Sequence, residues 1–315
     1  WQKRDGSAAF TRCDNLIVVN ANDSGVGSLR QAISDACTDD AVIRFAGDYS
    51  IYLNSSLSIN KRLTIDGSGH TVTLSGDSGN DGSRNVQPLQ INASGVVTLT
   101  HLQVVNGTAT LGGGIYNAGA LTVIDSAFAN NYSNGNLGGG AIYTSKLLTV
   151  TNSTFTNNQS SRSGAIFVAG QTKVTNSTFA NNSATEGGAL HNRSSLTLIN
   201  DTFTSNSAWY GSDVHNWGGT LSLYNTLMAS GCYNSGTVAT GRNNLITSGN
   251  CNATLTGSPL LGSVTPASSL WPATANPLPL AKAFPLLPGS SALNAGDSTT
   301  CPTTDQRGEP RYGVC

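Results

Sequence analysis

The sequence predicts an all-β fold: a single-stranded right-handed parallel β-helix of about 24 residues per coil, with a short N-terminal capping helix and an irregular C-terminal cap. A segment recurs five times between residues 112 and 230, and Phe128, Phe155, Phe179 and Phe203 mark it at steps of 27, 24 and 24 residues. Apolar and polar residues alternate within each copy, as in strands, and Gly, Asn and Ser separate the strands, as turns require. The right-handed prediction follows from the preference of parallel β connections for that hand.

Stacking at this period places equivalent residues above one another, about 4.8 Å apart. We expect the phenylalanines to form an inward stack, beside an inward aliphatic column of Ile115, Ile142, Ile166, Leu190 and Val214. Two further columns, three residues before and three residues after each Phe, are rich in asparagine, which suits turns and side-chain ladders. These columns are Asp125, Asn152, Asn176, Asn200 and Asn225, and Asn131, Asn158, Asn182 and Asn206.

Strand alternation predicts that the residue after each inward aliphatic side chain points outward. That column is rich in aromatic and histidine side chains, and Trp209, Tyr210 and Trp217 fall in loops near its lower end. Together with Trp217, this stripe is a candidate ligand or partner face, suited to sugar stacking or protein contact. The alternative is an aromatic ladder that stabilises its own sheet, or one that a terminal segment covers. The column comprises Tyr116, Tyr143, Phe167, His191 and His215.

The chain divides into four regions around the repeats. Residues 1–15 are expected to form an N-terminal arm, and residues 16–47 an N-terminal strand and a capping helix. Coils are expected over 48–262, with the regular repeats at 112–230, and a Pro/Leu-rich strap with a disulfide-closed cap over 263–315. The helix is predicted from one apolar face, with Ser28 as its N-cap. That face comprises Leu29, Ala32, Ile33 and Ala36.

Composition indicates an extracellular protein. The chain has a net charge of −1 and no basic patch, which disfavours nucleic-acid binding, and no apolar run approaches the length of a transmembrane segment. It begins at Trp1 without an initiator Met, which suggests a secreted product whose signal peptide was removed. Six cysteines at spacings that match no zinc motif indicate disulfides, and no metal or cofactor is expected. Of the fifteen possible connectivities, local pairing is the simplest, with Cys13–Cys37, Cys232–Cys251 and Cys301–Cys315.

Three motifs resemble those of known surface proteins. The segment Gly27-Ser28-Leu29-Arg30-Gln31-Ala32-Ile33 resembles the Cys-Ser-Leu-Arg-Glu-Ala signature of large secreted bacterial β-helix proteins, with Gly for Cys and Gln for Glu. LLPGSSALNAGD and CPTTDQRGEPR resemble the C-terminal, choice-of-anchor-type region of the same group, although this chain stops at Cys315 before the usual anchor. The central GGAI and FxxN repeats are similar to those of polymorphic outer-membrane adhesins. The resemblance implies an extracellular surface protein, often adhesive or structural.

An enzymatic function is tested by the positions of the acids. Glycoside hydrolysis needs two carboxylates about 5–10 Å apart, which in a solenoid means acids on neighbouring rungs. The regular coils offer no matched pair among their acids, Asp125, Glu186, Asp201 and Asp213.

A polysaccharide lyase would need a base and a group that neutralises the substrate charge. The best candidates are His191 and His215 on successive rungs, with Arg193 and Tyr210 nearby. A looser group on the early coils comprises Asp66, His70 and Asp77.

A non-enzymatic role fits the composition better, because a neutral surface rich in Thr, Ser and Asn offers little charge to resist close packing. The leading interpretation is an extracellular structural or adhesive β-helix, either a self-assembling filament or surface-layer subunit that associates through its N-terminal arm and solenoid ends, or a protein that contacts cell-surface glycans. The alternatives are a polysaccharide lyase or other carbohydrate-active enzyme, and a non-catalytic glycan-binding module.

Overall fold

The computed structural model describes residues 13, 15–37, 40–263, 265–266, 282–306 and 310–311. Within these residues the chain forms a β-solenoid of parallel strands stacked about 24 residues apart, with one short helix, which confirms the predicted fold class. Each regular turn contributes one strand to each of three long sheets, named here sheets 1, 2 and 3.

Sheet 1 has ten strands among the described residues: Asn15–Val18, Ala41–Phe45, Arg62–Asp66, Val96–Thr100, Ala120–Ile124, Leu147–Thr151, Gln171–Thr175, Ser195–Ile199, Thr220–Tyr224 and Thr237–Arg242. Sheet 2 has nine in the same part of the chain: Tyr49–Tyr52, Val72–Ser75, Leu102–Val105, Ala127–Ala129, Thr154–Thr156, Thr178–Ala180, Thr202–Thr204, Leu227–Met228 and Leu245–Ile246. Sheet 3 has eight described strands: Leu57–Ile59, Leu89–Ile91, Ile115–Asn117, Ile142–Thr144, Ile166–Val168, Leu190–Asn192, Val214–Asn216 and Cys232–Asn234.

Two smaller sheets accompany the long ones in the described residues. Thr108–Ala109, Tyr132–Ser133 and Gln159–Ser160 form a parallel sheet, and Thr265–Pro266 pairs antiparallel with Lys282–Ala283.

The inward columns lie where the repeat predicts. The four phenylalanines are fully buried and pair in register, with centroids 4.7–4.8 Å apart and rings within 6° of parallel. Met228 continues the stack below Phe203. The aliphatic column, from Ile115 to Val214, is also fully buried. These two columns, with the Leu and Val residues of sheet 1, make one continuous apolar core.

The asparagine columns act differently from each other. Asp125 and Asn152 have positive φ angles at the turn between sheets 1 and 2, as do the later members of their column, because asparagine tolerates left-handed backbone. At the second turn the left-handed residue is the one before the ladder: Asn157 has a φ of 55°, and Asn158 next to it is fully buried. Asn158 Nδ2 donates to Asn182 Oδ1 at 3.0 Å, and the ladder repeats on neighbouring rungs.

The N-terminal end is covered by helix α1, Leu29–Asp35, as predicted. The Ser28 side chain caps it by accepting from the Gln31 N–H, and Leu29 and Ile33 face the core against the first two strands of sheet 1. Disulfides join Cys13 to Cys37 and Cys232 to Cys251, two of the pairs that local pairing predicts. The third predicted pair, Cys301–Cys315, includes Cys315, which lies outside the described ranges. Nearly all of the predicted arm 1–15 also lies outside them.

The C-terminal segment runs back along the outside of the solenoid. Asn243 donates to Ala295 O, Asn225 donates to Asp297 O, and Asn176 donates to Thr304 O, so the segment follows the left-handed asparagine column towards the N-terminal end. Most of the Pro/Leu-rich stretch that was expected to form the strap, residues 267–281, lies outside the described residues. The described part shows that asparagine amides of the turn column bind this segment and are at least partly covered by it.

Candidate functional site

The aromatic and histidine column forms a ladder on the outer face of sheet 3. Tyr116 and Tyr143 stack at 5.7 Å, Tyr143 and Phe167 stack at 5.4 Å, and Phe167 and His191 stack at 5.0 Å. The stacking then stops, because the His191 and His215 rings meet edge-on at 85° with centroids 4.8 Å apart. Strand register places all five residues in one column, so the sequence spacing located them correctly.

The lower part of this ladder is not an open face. Phe167 is 1% exposed, His191 0% and His215 5%, although none of them belongs to the solenoid core. Strand alternation correctly predicts that these side chains point away from the core. The prediction that they form an outward contact stripe needs correction, because these three side chains are covered. Only Tyr116 and Tyr143, on the upper rungs, remain half-exposed.

Two flanking columns cover the histidines. On one side, Arg162, Glu186 and Tyr210 occupy the same position on successive rungs, and the Glu186 backbone pairs with that of Tyr210. On the other side lies Trp217, whose ring centroid is 6.0 Å from that of His191. The guanidinium carbon of Arg162 lies 5.6 Å from the Trp217 ring centroid. The Arg162 side chain therefore extends across the ladder and covers its solvent side.

A tight glycine turn brings Glu186 back beside the ladder. Gly187 has a φ of 56°, and a Cβ there would lie 2.3 Å from Leu190 O, so only glycine fits this close approach. The turn places Glu186 Oε2 3.5 Å from His191 Nδ1 and 3.7 Å from His215 Nδ1. The same oxygen lies 3.1 Å from Arg162 Nη1. One carboxylate oxygen therefore meets two imidazoles and one guanidinium.

The electrostatics of the cluster keep both imidazoles neutral. Burial, with smaller contributions from His215, Arg162 and Arg193, lowers the pKa of His191 to about 3. Burial also lowers the pKa of His215, and Glu186 opposes this shift only in part. At neutral pH each ring therefore keeps a lone pair on one nitrogen. The ligand atoms of Glu186, His191 and His215 all lie within 4.8 Å of one another, which is the spacing of a metal-binding group.

Exposed aromatic rings surround this buried cluster. Trp209 is 85% exposed, Tyr210 51%, Tyr233 42% and Trp217 41%. Arg193 lies over Trp217, with its guanidinium carbon 4.2 Å from the ring centroid. We call Trp209, Tyr210, Trp217, Tyr233 and Arg193 the aromatic patch.

The lyase candidates are close together but poorly placed for a polymer. Tyr210 lies against His215 with ring centroids 6.2 Å apart, and Arg193 is stacked on Trp217. Both histidines lie beneath these side chains, so a polysaccharide chain cannot contact the ring nitrogens in this conformation.

The remaining acids have structural partners. Asp201 accepts from the Ser177 and Ile199 N–H groups, and Asp213 accepts from the Ser230 and Gly231 N–H groups. Burial raises the pKa of Asp213 to about 6, since hydrogen bonds to the carboxylate offset the desolvation only in part. Asp125 lies near His101, with 3.8 Å between Oδ2 and Nε2.

The looser early group is not brought together as a site. Asp66 pairs with Arg44, His70 lies 3.6 Å from Asp48, and Asp77 accepts from backbone N–H groups in its own loop.

Sequence reasoning missed Glu186 and Arg162 as parts of the site. The sequence prediction treats Glu186 only as a candidate for a carboxylate pair and gives Arg162 no role. The sequence contains a signal for both residues. Arg162 and Glu186 are 24 residues apart, which is one repeat, and Glu186 lies directly before the Gly187-Gly188 turn and five residues before His191.

Comparison with known families agrees with the repeat. The model of the Chlamydia polymorphic membrane protein repeat matches residues 176–193. This short stretch contains one FxxN motif, the glycine turn, Glu186 and His191. No curated protein matches the chain. The β-solenoid is thus similar, over one repeat, to the repeats of a surface protein, which fits an adhesin-like protein.

Among the described residues, every helix is too short or too polar to cross a membrane.

Proposed function

We propose that this protein is an extracellular adhesive β-solenoid that binds cell-surface glycans through its aromatic patch. The observation that carries the proposal is the concentration of four exposed aromatic rings on the lower rungs of sheet 3 and its flanking loops. Aromatic faces stack on the C–H faces of sugar rings, and clusters of exposed rings on a soluble surface mark interaction sites. The similarity to a surface-protein repeat supports the same reading.

The polar groups around the patch suit a sugar ligand. Arg193 lies on one face of Trp217 and presents several N–H donors beside the ring. Tyr210 and Tyr233 are 5.5 Å apart at 59°, so their rings form two walls of a corner rather than a flat surface. A net charge of −1 provides little long-range electrostatic attraction, so stacking and hydrogen bonding are proposed as the main contributions to binding.

The two disulfides formed between described residues support an oxidising compartment, as expected for an extracellular protein. Secretion and attachment to the cell surface are parts of the proposal.

End-to-end assembly into a filament has weaker support. Helix α1 covers the N-terminal end of the stack, where a second solenoid would have to pair. At the other end, the sheet 1 strand Thr237–Arg242 has a register shift opposite Leu221 and Ser222, and such irregular edges resist strand addition. We therefore favour adhesion over assembly.

A lyase reaction is also less well supported, because His191 has no exposed surface from which it could take a proton from a polysaccharide. Incubation with uronic-acid polysaccharides, followed by the absorbance of unsaturated ends, should show no activity above that of a heat-denatured sample.

A glycan array tests adhesion directly. The intact protein should bind a defined set of glycans, and Trp217→Ala should reduce that binding at least tenfold, which corresponds to about 1.4 kcal/mol. The matched control is Ile17→Ala, because Ile17 is also an exposed apolar residue but lies on the first strand of sheet 1. Equal binding by the two variants, or no binding by the intact protein, would refute the proposal.

A further inference from the structure

We propose that Glu186, His191 and His215 form a binding site for a divalent first-row transition ion, with Zn²⁺ as the ion expected outside the cell. This site lies beneath the aromatic patch and does not depend on what the patch binds. Both imidazoles come from neighbouring sheet 3 strands, which pair His191 with His215 in register. The carboxylate comes from the glycine turn beside them.

The geometry is close to that of a bound ion. Zinc binds imidazole nitrogen and carboxylate oxygen at about 2.0–2.2 Å, so two ligand atoms of a tetrahedral site are roughly 3.3 Å apart. Glu186 Oε2 lies 3.5 Å from His191 Nδ1 and 3.7 Å from His215 Nδ1. Closing these two gaps needs movements of a few tenths of an ångström, and the two imidazole ligand atoms, which lie within 4.8 Å of each other, must approach by up to about 1.5 Å through side-chain rotation.

Unsatisfied nitrogen atoms provide the independent observation. Within the described part of the chain, Nδ1 and Nε2 of both histidines are buried and lack a hydrogen-bond partner. A buried polar atom without a partner normally costs about 1–3 kcal/mol, and native structures contain few of them. Four such atoms in two adjacent rings are therefore unlike an ordinary aromatic ladder. An ion would accept one lone pair from each ring and leave the other nitrogen to carry the proton.

The donor set favours a transition ion over Ca²⁺ or Mg²⁺. Those two ions prefer oxygen ligands, whereas two imidazoles and one carboxylate suit Zn²⁺ and its first-row neighbours. Three protein ligands leave a fourth position for water. Arg162 and Arg193 place two positive charges nearby, which weakens attraction for a cation, so we expect micromolar rather than nanomolar affinity.

Competing metal sites are few in the described part of the chain. The chain has four histidines, and the other two, His70 and His101, each lie near one aspartate. The described cysteines are in disulfides and do not offer thiolates.

The structural consequence of binding would be local rigidity. The ion would join the Glu186 turn to two successive strands of sheet 3 at the point where Tyr210 and Trp217 pack on the histidines. The metal site and the proposed adhesive function can be tested independently. Glycan binding that metal does not affect, or metal binding by a protein that binds no glycan, would show that the two are separate.

The test is a titration of the full chain after removal of metal with a chelator. Isothermal calorimetry with ZnCl₂ should show one ion per chain, and Co²⁺ in its place should give the visible absorption of a bound ion. His191→Phe and His215→Tyr should abolish this binding while preserving the ladder, because Phe167 and Tyr233 occupy the same column on the adjacent rungs. Mutation of a residue that only hydrogen-bonds to a metal ligand weakens metal binding about 10- to 100-fold. Loss of a ligand itself should therefore weaken binding more than 100-fold.

Two further variants keep the test decisive. Glu186→Gln preserves the shape of a partly exposed side chain but leaves only an uncharged amide oxygen as a weaker ligand, so it should weaken Zn²⁺ binding at least tenfold even if a histidine variant fails to fold. His101→Asn is the matched control, because it removes a histidine near a carboxylate at a position with a φ of 55°, where asparagine is well tolerated. The control should bind like the parent protein. The proposal is overturned if the parent protein binds no ion, or if Glu186→Gln and the folded histidine variants bind as tightly as the control.

Discussion

Arg162 and Trp217 meet above the imidazole of His191, although they come from turns on opposite sides of sheet 3. The guanidinium also pairs with Glu186 at 3.1 Å, so a single side chain links the two flanking columns. This contact explains why an outward histidine has no exposed surface. As a result, the outer side of sheet 3 has a buried polar cluster with the exposed aromatic patch around it.

Removing the cover should make the histidines reactive. We expect Arg162→Ala to increase the rate at which diethylpyrocarbonate modifies His191 and His215 several-fold, as measured by mass spectrometry. The stability of the fold should fall by no more than about 1 kcal/mol, because the lost ion pair is partly exposed. The matched control is Arg44→Ala, which removes an ion pair with Asp66 on sheet 1. Equal histidine reactivity in both variants would show that Arg162 does not shield the cluster.

The phenylalanine stack should dominate the stability of the central coils. Phe179 is fully buried between Phe155 and Phe203, so Phe179→Ala leaves a cavity that its neighbours cannot fill. We expect a loss of about 4 kcal/mol in the free energy of unfolding, measured by urea denaturation. Phe179→Leu keeps most of the volume and should lose less than half as much. Similar losses in the two variants would argue against a packed stack.

The buried asparagine ladder makes a different prediction. Asn182 accepts from the backbone and side chain of Asn158 and donates to Asn206 and to Phe155 O. In Asn182→Ala two buried donors of Asn158 lose their acceptor, which should cost about 3 kcal/mol or more.

The neighbouring Asn181 provides the control for that variant. Asn181 is exposed and has a φ of 57°, a backbone conformation that glycine adopts freely. Asn181→Gly should change the urea midpoint little, with a difference within about 0.5–1 kcal/mol. If the two variants were equally unstable, the ladder would not be the reason.

Much of the fold was predictable because the repeat and strand alternation constrain side chains strongly. The 24-residue step placed Phe155 over Phe179, and alternation assigned Ile166 inward and Phe167 outward. Ser28 before an apolar helical face was sufficient to locate α1. In each of these cases the residue's own neighbours in sequence determine where it points.

The site was less predictable, because alternation says which way a side chain points but not what lies over it. Whether His191 is open or covered depends on the path of the turn at Gly187 and on the reach of Arg162. The same limit applies at the second turn, where Asn157 takes the left-handed conformation and Asn158 points inward. Identical residue types there have opposite roles, and spacing alone does not distinguish them.

One acid in the serine column should make stability depend on pH. Ser126, Ser153 and Ser177 each accept a backbone N–H from the preceding rung, and on the next rung Asp201 Oδ1 does the same for Ser177 at 2.8 Å. Asp201 is almost fully buried, and burial raises its pKa well above the usual value. The folded state therefore holds a proton that the unfolded chain releases, so this group's contribution to stability is present below its unfolded pKa and falls as pH rises towards the folded pKa.

Asp201→Ser should restore the regular column and remove that pH dependence. The serine hydroxyl can accept from the Ser177 N–H, as Ser177 does for Ser153, and no buried carboxyl group remains to titrate. We therefore expect the variant to gain stability relative to the parent protein as pH increases from about 4 to about 8, across the range above the ordinary aspartate pKa. Urea midpoints of both proteins across this range measure the difference. Asp35→Ser, at an exposed position in α1, controls for loss of a surface carboxylate. A constant difference between Asp201→Ser and the parent protein across the range would mean that Asp201 does not hold a proton in the folded state.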